Sequence, residues 1–168
     1  MFMIIVNNKG ELWYKKKRYK CAIGKNGVTR SKKEGDGCTP IGTFSLRRLF
    51  IRKDRIKKIT TSLSQITIVP NMAWEDNPKS KNYNKLIFLK KNNSREKLFR
   101  KDKLYDLILV IEYNTKKIIK GKGSAIFLHI AKKNYSGTQG CVALKKSDFL
   151  EILQFIKPNE KIKIIDNF

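Results

Sequence analysis

The sequence holds a single histidine, His129, and twelve residues later a cysteine, Cys141, that directly follows Gly140. A thiol is a strong nucleophile only as thiolate, and an imidazole beside it can take its proton. Lys132 and Lys133 add positive potential between the two. Gly140 lets the backbone approach a substrate closely, and the amides of Gly140 and Cys141 can bind the oxyanion formed when sulfur attacks a carbonyl. That is the chemistry of acyl transfer through a thioester. The same pair also fits a plainer reading, a small buried thiol and a hydrogen-bonded core histidine.

The elements that must position the pair are legible around it. Ser124 to Leu128 is a short apolar run after Gly123, which suits a buried strand. Lys132 to Gly137 is polar and suits a loop, and Gly140 to Leu144 resumes apolar character. Strand, exposed loop and second strand bring one imidazole and one thiol to the end of a sheet.

Elsewhere the chain reads mainly as strands. Met1 to Val6 and Glu11 to Lys15 form a hairpin around Asn7–Gly10, and Arg18 to Ile23, Thr43 to Ile51, Gln65 to Val69, Leu86 to Leu89 and Asp106 to Tyr113 add further strands. Gly27 to Pro40 is a long glycine-punctuated loop whose Lys32, Lys33, Glu34 and Asp36 read as a solvated surface. Asn71 to Lys85 is a polar loop in which Trp74, Tyr83 and Asn84 are candidate walls of a substrate groove or, equally, buried anchors. A helix is expected over Asn93 to Tyr105 with Asn93 as its cap, and a second, capped by Ser147, through Ile156. Lys161 to Ile164 alternates as a final edge strand. No repeat or linker divides the chain, so residues 1–168 are expected to form one domain, mainly β with a few short helices.

Composition bounds the function. Hydrophobic residues at 40% exclude wholesale disorder. With 38 Lys and Arg against 14 Asp and Glu, the net charge of +24 favours anionic partners. The lysines are scattered and no nucleic-acid motif is present, so nucleic acid is not an expected partner. Cys21, Cys38 and Cys141 show no short-range metal spacing, so neither a metal nor another cofactor is expected. No segment has the roughly 18 apolar residues that cross a bilayer. The first residues lack the basic and small-residue features of a signal peptide, which leaves a cytoplasmic location open.

Phe127-Leu128-His129-Ile130-Ala131, Tyr135, and Thr138-Gln139-Gly140-Cys141-Val142-Ala143-Leu144 together resemble the catalytic signature of YkuD-type L,D-transpeptidases, a histidine, a loop and Ser/Thr-x-Gly-Cys. Thr39-Pro40-Ile41-Gly42-Thr43-Phe44 resembles that family's Thr-Pro-x-Gly-x-Phe segment, and Trp74 to Pro78 with Tyr83 and Asn84 resembles a segment of one branch. The resemblance implies a compact L,D-transpeptidase-like β-sandwich. It implies a Cys141 nucleophile with His129 as general base, with Gly140 and Thr138 forming the oxyanion site or shaping the turn. Tyr135, Trp74, Tyr83 and Asn84 would border the substrate. The implied substrates are peptidoglycan stem peptides in the cell envelope; the oligomeric state is open in the sequence, and a monomer is assumed. Gln139 and Ala143 depart from the histidine and the arginine or asparagine many members carry there, and the branch with alanine includes hydrolysing members. An L,D-carboxypeptidase or amidase acting through the same thioester is therefore the implied alternative, with a non-enzymatic basic module a more distant one.

Overall fold

The computed structural model describes residues 3–90 and 95–167. Strand β1 (Met3–Val6) turns into β2 (Glu11–Tyr14) through Asn7, whose Oδ1 accepts the N–H groups of Lys9 and Glu11, each at 3.1 Å. A side chain that satisfies turn amides in this way is the reason asparagine favours such corners. Lys15 and Lys16, at φ 48° and 64°, make the next two-residue turn into β3 (Lys17–Ala22). Two consecutive positive φ values match the twist of the flanking strands.

The short parallel pair β4 (Val28–Thr29) and β5 (Thr39–Pro40) frames the loop between them. Strand β6 (Gly42–Ile51) is the longest element, and β7 (Gln65–Thr67) lies parallel to its end. A separate three-stranded sheet sets β8 (Met72–Trp74) between β9 (Leu86–Phe88) and β10 (Glu96–Lys97). Then follow β11 (Leu107–Ile111), β12 (Phe127–Ile130), β13 (Val142–Leu144), helix α1 (Lys146–Leu153) and β14 (Lys161–Ile164).

The main sheet runs β11-β12-β13-β3-β2-β1-β14-β6-β7, and β11 also pairs with β6. The extra pairing closes a ring, because β6 uses Gly42–Ser45 against β14 and Leu46–Ile51 against β11. Among the described residues closure leaves β7 as the one terminal strand of this sheet and so limits the unpaired edge that would otherwise invite aggregation. The inside is filled by aliphatic residues such as Ile4, Leu12, Leu49, Leu109, Leu128 and Ile162, with Phe149, Ile152 and Leu153 of α1 packed among them. Burying one such Leu or Ile contributes on the order of 2 kcal/mol. All five residues of β11 are buried, since its other face carries a second cluster with Phe50, Trp74, Tyr105, Phe127 and Cys141. Among the described residues no helix is long and apolar enough to cross a membrane.

Three expectations are corrected. Asn93 lies outside the described residues, and from Arg95 to Tyr105 there is no helix. The carbonyls a helix would use are taken by arginines from elsewhere: Arg52 bonds Arg100 O at 2.8 Å, and Arg55 bonds Lys101 O at 3.0 Å and Asp102 O at 2.8 Å. Helix α1 begins after Lys145 without a side-chain cap, and Ser147 Oγ turns to Asp148 instead. Strand β14 is not at an edge but between β1 and β6, which is why Ile162 and Ile164 are fully buried.

Candidate active site

Alternation along β12 sends Leu128 and Ile130 into the ring interior, and Phe127 and His129 to the opposite face. Strand β13 runs parallel to it, with Leu128 opposite Val142 and His129 opposite Ala143. Cys141 directly precedes Val142, so its side chain falls on the face of Ala143 and His129, where it packs in Phe127's cluster. The histidine and the cysteine line one cavity of about 230 Å³. Leu104, Tyr105, Glu96 and Arg100 close one side of it, and the loop from Lys132 to Gln139 closes the other.

The His129 ring is anchored at Nδ1, 2.9 Å from the carbonyl oxygen of Ile130. A carbonyl only accepts, so Nδ1 carries the hydrogen and Nε2 keeps its lone pair. Tyr105 packs edge-on to the imidazole with ring centroids 5.2 Å apart. Burial lowers the imidazole pKa to about 4, and its bond to the Ile130 carbonyl offsets this only in part.

The thiol of Cys141 donates to the carbonyl oxygen of Ala125 at 3.2 Å. Burial pushes its pKa up to about 12; the Phe127 backbone amide opposes this, Glu96 adds to the rise, and Lys32 pulls the other way. The expected promotion of thiolate by the imidazole and the lysines therefore does not describe the resting site. Both groups are neutral at pH 7, since a low-polarity surrounding disfavours either charged form. All three cysteines are free thiols, with Cys21 in the ring interior rather than near Cys141.

Thr138 shapes the turn before Cys141. Its Oγ1 donates to Cys141 O at 2.6 Å and accepts the Gly140 N–H at 3.1 Å. Its own backbone is tied to Ile23 O and Lys25 N, each at 2.8 Å. Gly140 stands at φ 131°, and a Cβ there would lie 2.7 Å from Cys38 O. Only glycine fits that corner.

The L,D-transpeptidase catalytic domain (YkuD) family matches residues 1–164. The chain belongs to this family. Its fold is that of two solved structures. One is Bd1075 of Bdellovibrio bacteriovorus, 17% identical with a TM-score of 0.54, the match covering 99% of this chain and 48% of that one. The other is Pgp2 of Campylobacter jejuni, a helical cell shape determining protein, 15% identical with a TM-score of 0.51, covering 99% and 48%. The chain thus spans about half the length of those relatives. Among curated protein sequences, none matches it.

Within this L,D-transpeptidase domain the remaining expected site residues separate. Tyr135, at φ 52°, lies under the Lys20 ammonium at 4.9 Å and lines a different cavity of about 820 Å³ on the far side of the loop. Trp74, Tyr83 and Asn84 are buried behind the site rather than in its wall. Trp74 Nε1 donates to Asn84 Oδ1 at 2.9 Å, and the Tyr83 hydroxyl bonds the Glu34 carboxylate. Glu34 also accepts from Ser124 Oγ at 2.7 Å, and Lys32 is buried against Asp36 at 2.5 Å. The loop read as solvated therefore carries one ion pair with a buried lysine, and a carboxylate held by two hydroxyls. Glu96, Arg100 and Tyr105 were hidden inside the expected helix. Only the place of Tyr105, just ahead of an apolar strand, could have signalled them.

Proposed function

We propose that this domain transfers the acyl group of a peptidoglycan stem peptide through a thioester on Cys141. The observation that carries this reading is the shared face and cavity of His129 and Cys141, with the imidazole Nδ1 held by the Ile130 carbonyl. Sγ forms a bond to the amide carbonyl carbon while its proton passes to His129 Nε2. The Cys141 amide steadies the oxyanion, since the Gly140 amide is engaged by Thr138. The C–N bond breaks, Nε2 returns the proton to the leaving amine, and a thioester remains. An amine of a second stem then attacks the thioester, again losing its proton to Nε2, and restores the thiol. A family member acting on the wall works in the cell envelope, and the excess of positive charge suits an anionic wall polymer.

The second reading replaces that amine by water, giving an L,D-carboxypeptidase. Ala143 supports it, because this small side chain sits opposite His129 on the cavity wall. The space beside the imidazole can hold a water, which needs about 30 Å³. Mass spectrometry of products from purified stem peptides separates the two: cross-linked dimers mark transfer, trimmed monomers mark hydrolysis. The thioester itself is tested with a carbapenem, which acylates the cysteine of family enzymes. A mass gain is expected for the wild type and none for Cys141→Ala; a gain that persists in Cys141→Ala overturns the reading.

A further inference from the structure

Behind the nucleophile, the segment Gly123-Ser124-Ala125 is tied down at every residue. Gly123 N–H donates to the Tyr83 hydroxyl at 3.0 Å, and Gly123 O accepts from Asn114 Nδ2 at 2.9 Å. Ser124 Oγ donates to Glu34, and Ala125 N–H donates to Asn84 Oδ1 at 3.1 Å. Asn84 is itself fixed: Oδ1 also accepts from Trp74 Nε1, and Nδ2 donates to Tyr113 O at 3.2 Å and Asn114 O at 2.7 Å. Ala125 holds a left-handed φ of 52°, a conformation that costs a non-glycine residue about 1 kcal/mol or more. Such a conformation persists only where surrounding bonds over-determine it. The carbonyl thereby aimed is the one that accepts the Cys141 thiol.

We infer that Asn84 is a positioning residue for the nucleophile: by fixing the Ala125 amide it aims the Ala125 carbonyl at the Cys141 thiol. In the resting domain the S–H is parked on this carbonyl as a neutral donor, and it leaves for the imidazole only when a carbonyl carbon is presented. A hydrogen bond to the protonated form disfavours ionisation and sets the sulfur's direction. The assignment for turnover rests on the acyl-transfer reading above; the assignment for the thiol does not.

The test reads the S–H stretching band of Cys141 by infrared difference spectroscopy, wild type minus Cys141→Ala. The wild-type band is expected at the lowered frequency of a hydrogen-bonded thiol, and a band at the free-thiol position overturns the inference without any further variant. Asn84→Gly removes the side chain and tolerates the residue's own φ of 56°. It is expected to move the band to the free position and, on a stem-peptide donor, to lower kcat about 100-fold with KM within about twofold, the scale of a misplaced reacting group. A folded Asn84→Gly with the wild-type band overturns the inference. A shifted band in a protein that no carbapenem acylates upholds the thiol assignment and overturns the acyl-transfer reading alone.

Discussion

The Thr138 hydroxyl and the Cys141 carbonyl oxygen are 2.6 Å apart, and the same hydroxyl accepts the Gly140 amide. One side chain thus closes the turn on both sides of the glycine and sets the backbone from which the thiol projects. The turn is held in place by the neighbouring chain at Ile23 and Lys25.

Thr138→Val keeps the shape and removes both bonds. It is expected to cost about 1–3 kcal/mol, the penalty for a buried group left without its partner. Carbapenem acylation should slow at least about tenfold through the misplaced thiol. Thr138→Ser should recover both properties. Urea melts and acylation rates measure the pair of effects, and a valine variant that acylates at the wild-type rate would remove Thr138 from the positioning of Cys141.

Gly140→Ala meets a backbone oxygen at 2.7 Å in a conformation unsuited to a side chain. The expected loss is about 1–3 kcal/mol, with acylation of Cys141 falling further than stability does. Thermal melts compared with acylation rates decide whether the glycine serves the site or the fold alone.

A thiol pushed up to about 12 is almost wholly protonated at neutral pH. Alkylation of Cys141 by iodoacetamide, followed by peptide mapping, should therefore be slow at pH 7 and still climbing at pH 10. The half-exposed Cys38 should react sooner. A Cys141 alkylation rate that levels off below pH 8 would show a resting thiolate and contradict the neutral pair.

His129 titrates near 4 in the folded chain against an ordinary value of 6.5. Between those values the unfolded chain binds more protons, so stability rises with pH across that window and is lost as pH falls through it. The displacement corresponds to something on the order of 3 kcal/mol. Denaturant melts at pH 7 and pH 4.5 should differ by less in His129→Gln than in the wild type. Carboxylates that are lowered by their partners, such as Asp36 and Asp102, act mainly below this window, so the difference between the two proteins isolates the imidazole.

The comparison of sequence and fold divides by the range of the forces involved. Period-two patterns placed most strands, because alternation is a local consequence of one face being buried. Where long-range partners compete, local pattern lost. The stretch from Arg95 to Tyr105 has a helix-like composition, yet Arg52 and Arg55 claim its carbonyls and Asp102 turns the chain by accepting Leu104 N–H. Likewise Lys161–Ile164 alternates as an edge strand would, but a ring has no edge to give it.

By itself the sequence brought the histidine and the cysteine together: a strand carrying the lone histidine, a loop, and a cysteine behind a glycine at the start of a second apolar stretch put an imidazole and a thiol at one end of a sheet. The fold alone made the two strands parallel neighbours. That the corner before the thiol must be glycine was decided by the fold, which brings the Cys38 carbonyl against Gly140. Only the tertiary structure decided the protonation of that pair, because burial depends on what covers the face, here Tyr105 and the loop around Leu104. The roles of Glu34, Tyr83 and Asn84 were decided there too. Their partners Gly123, Ser124 and Ala125 lie far along the chain, and a hydrogen bond across such a separation leaves no periodic trace in the order of residues.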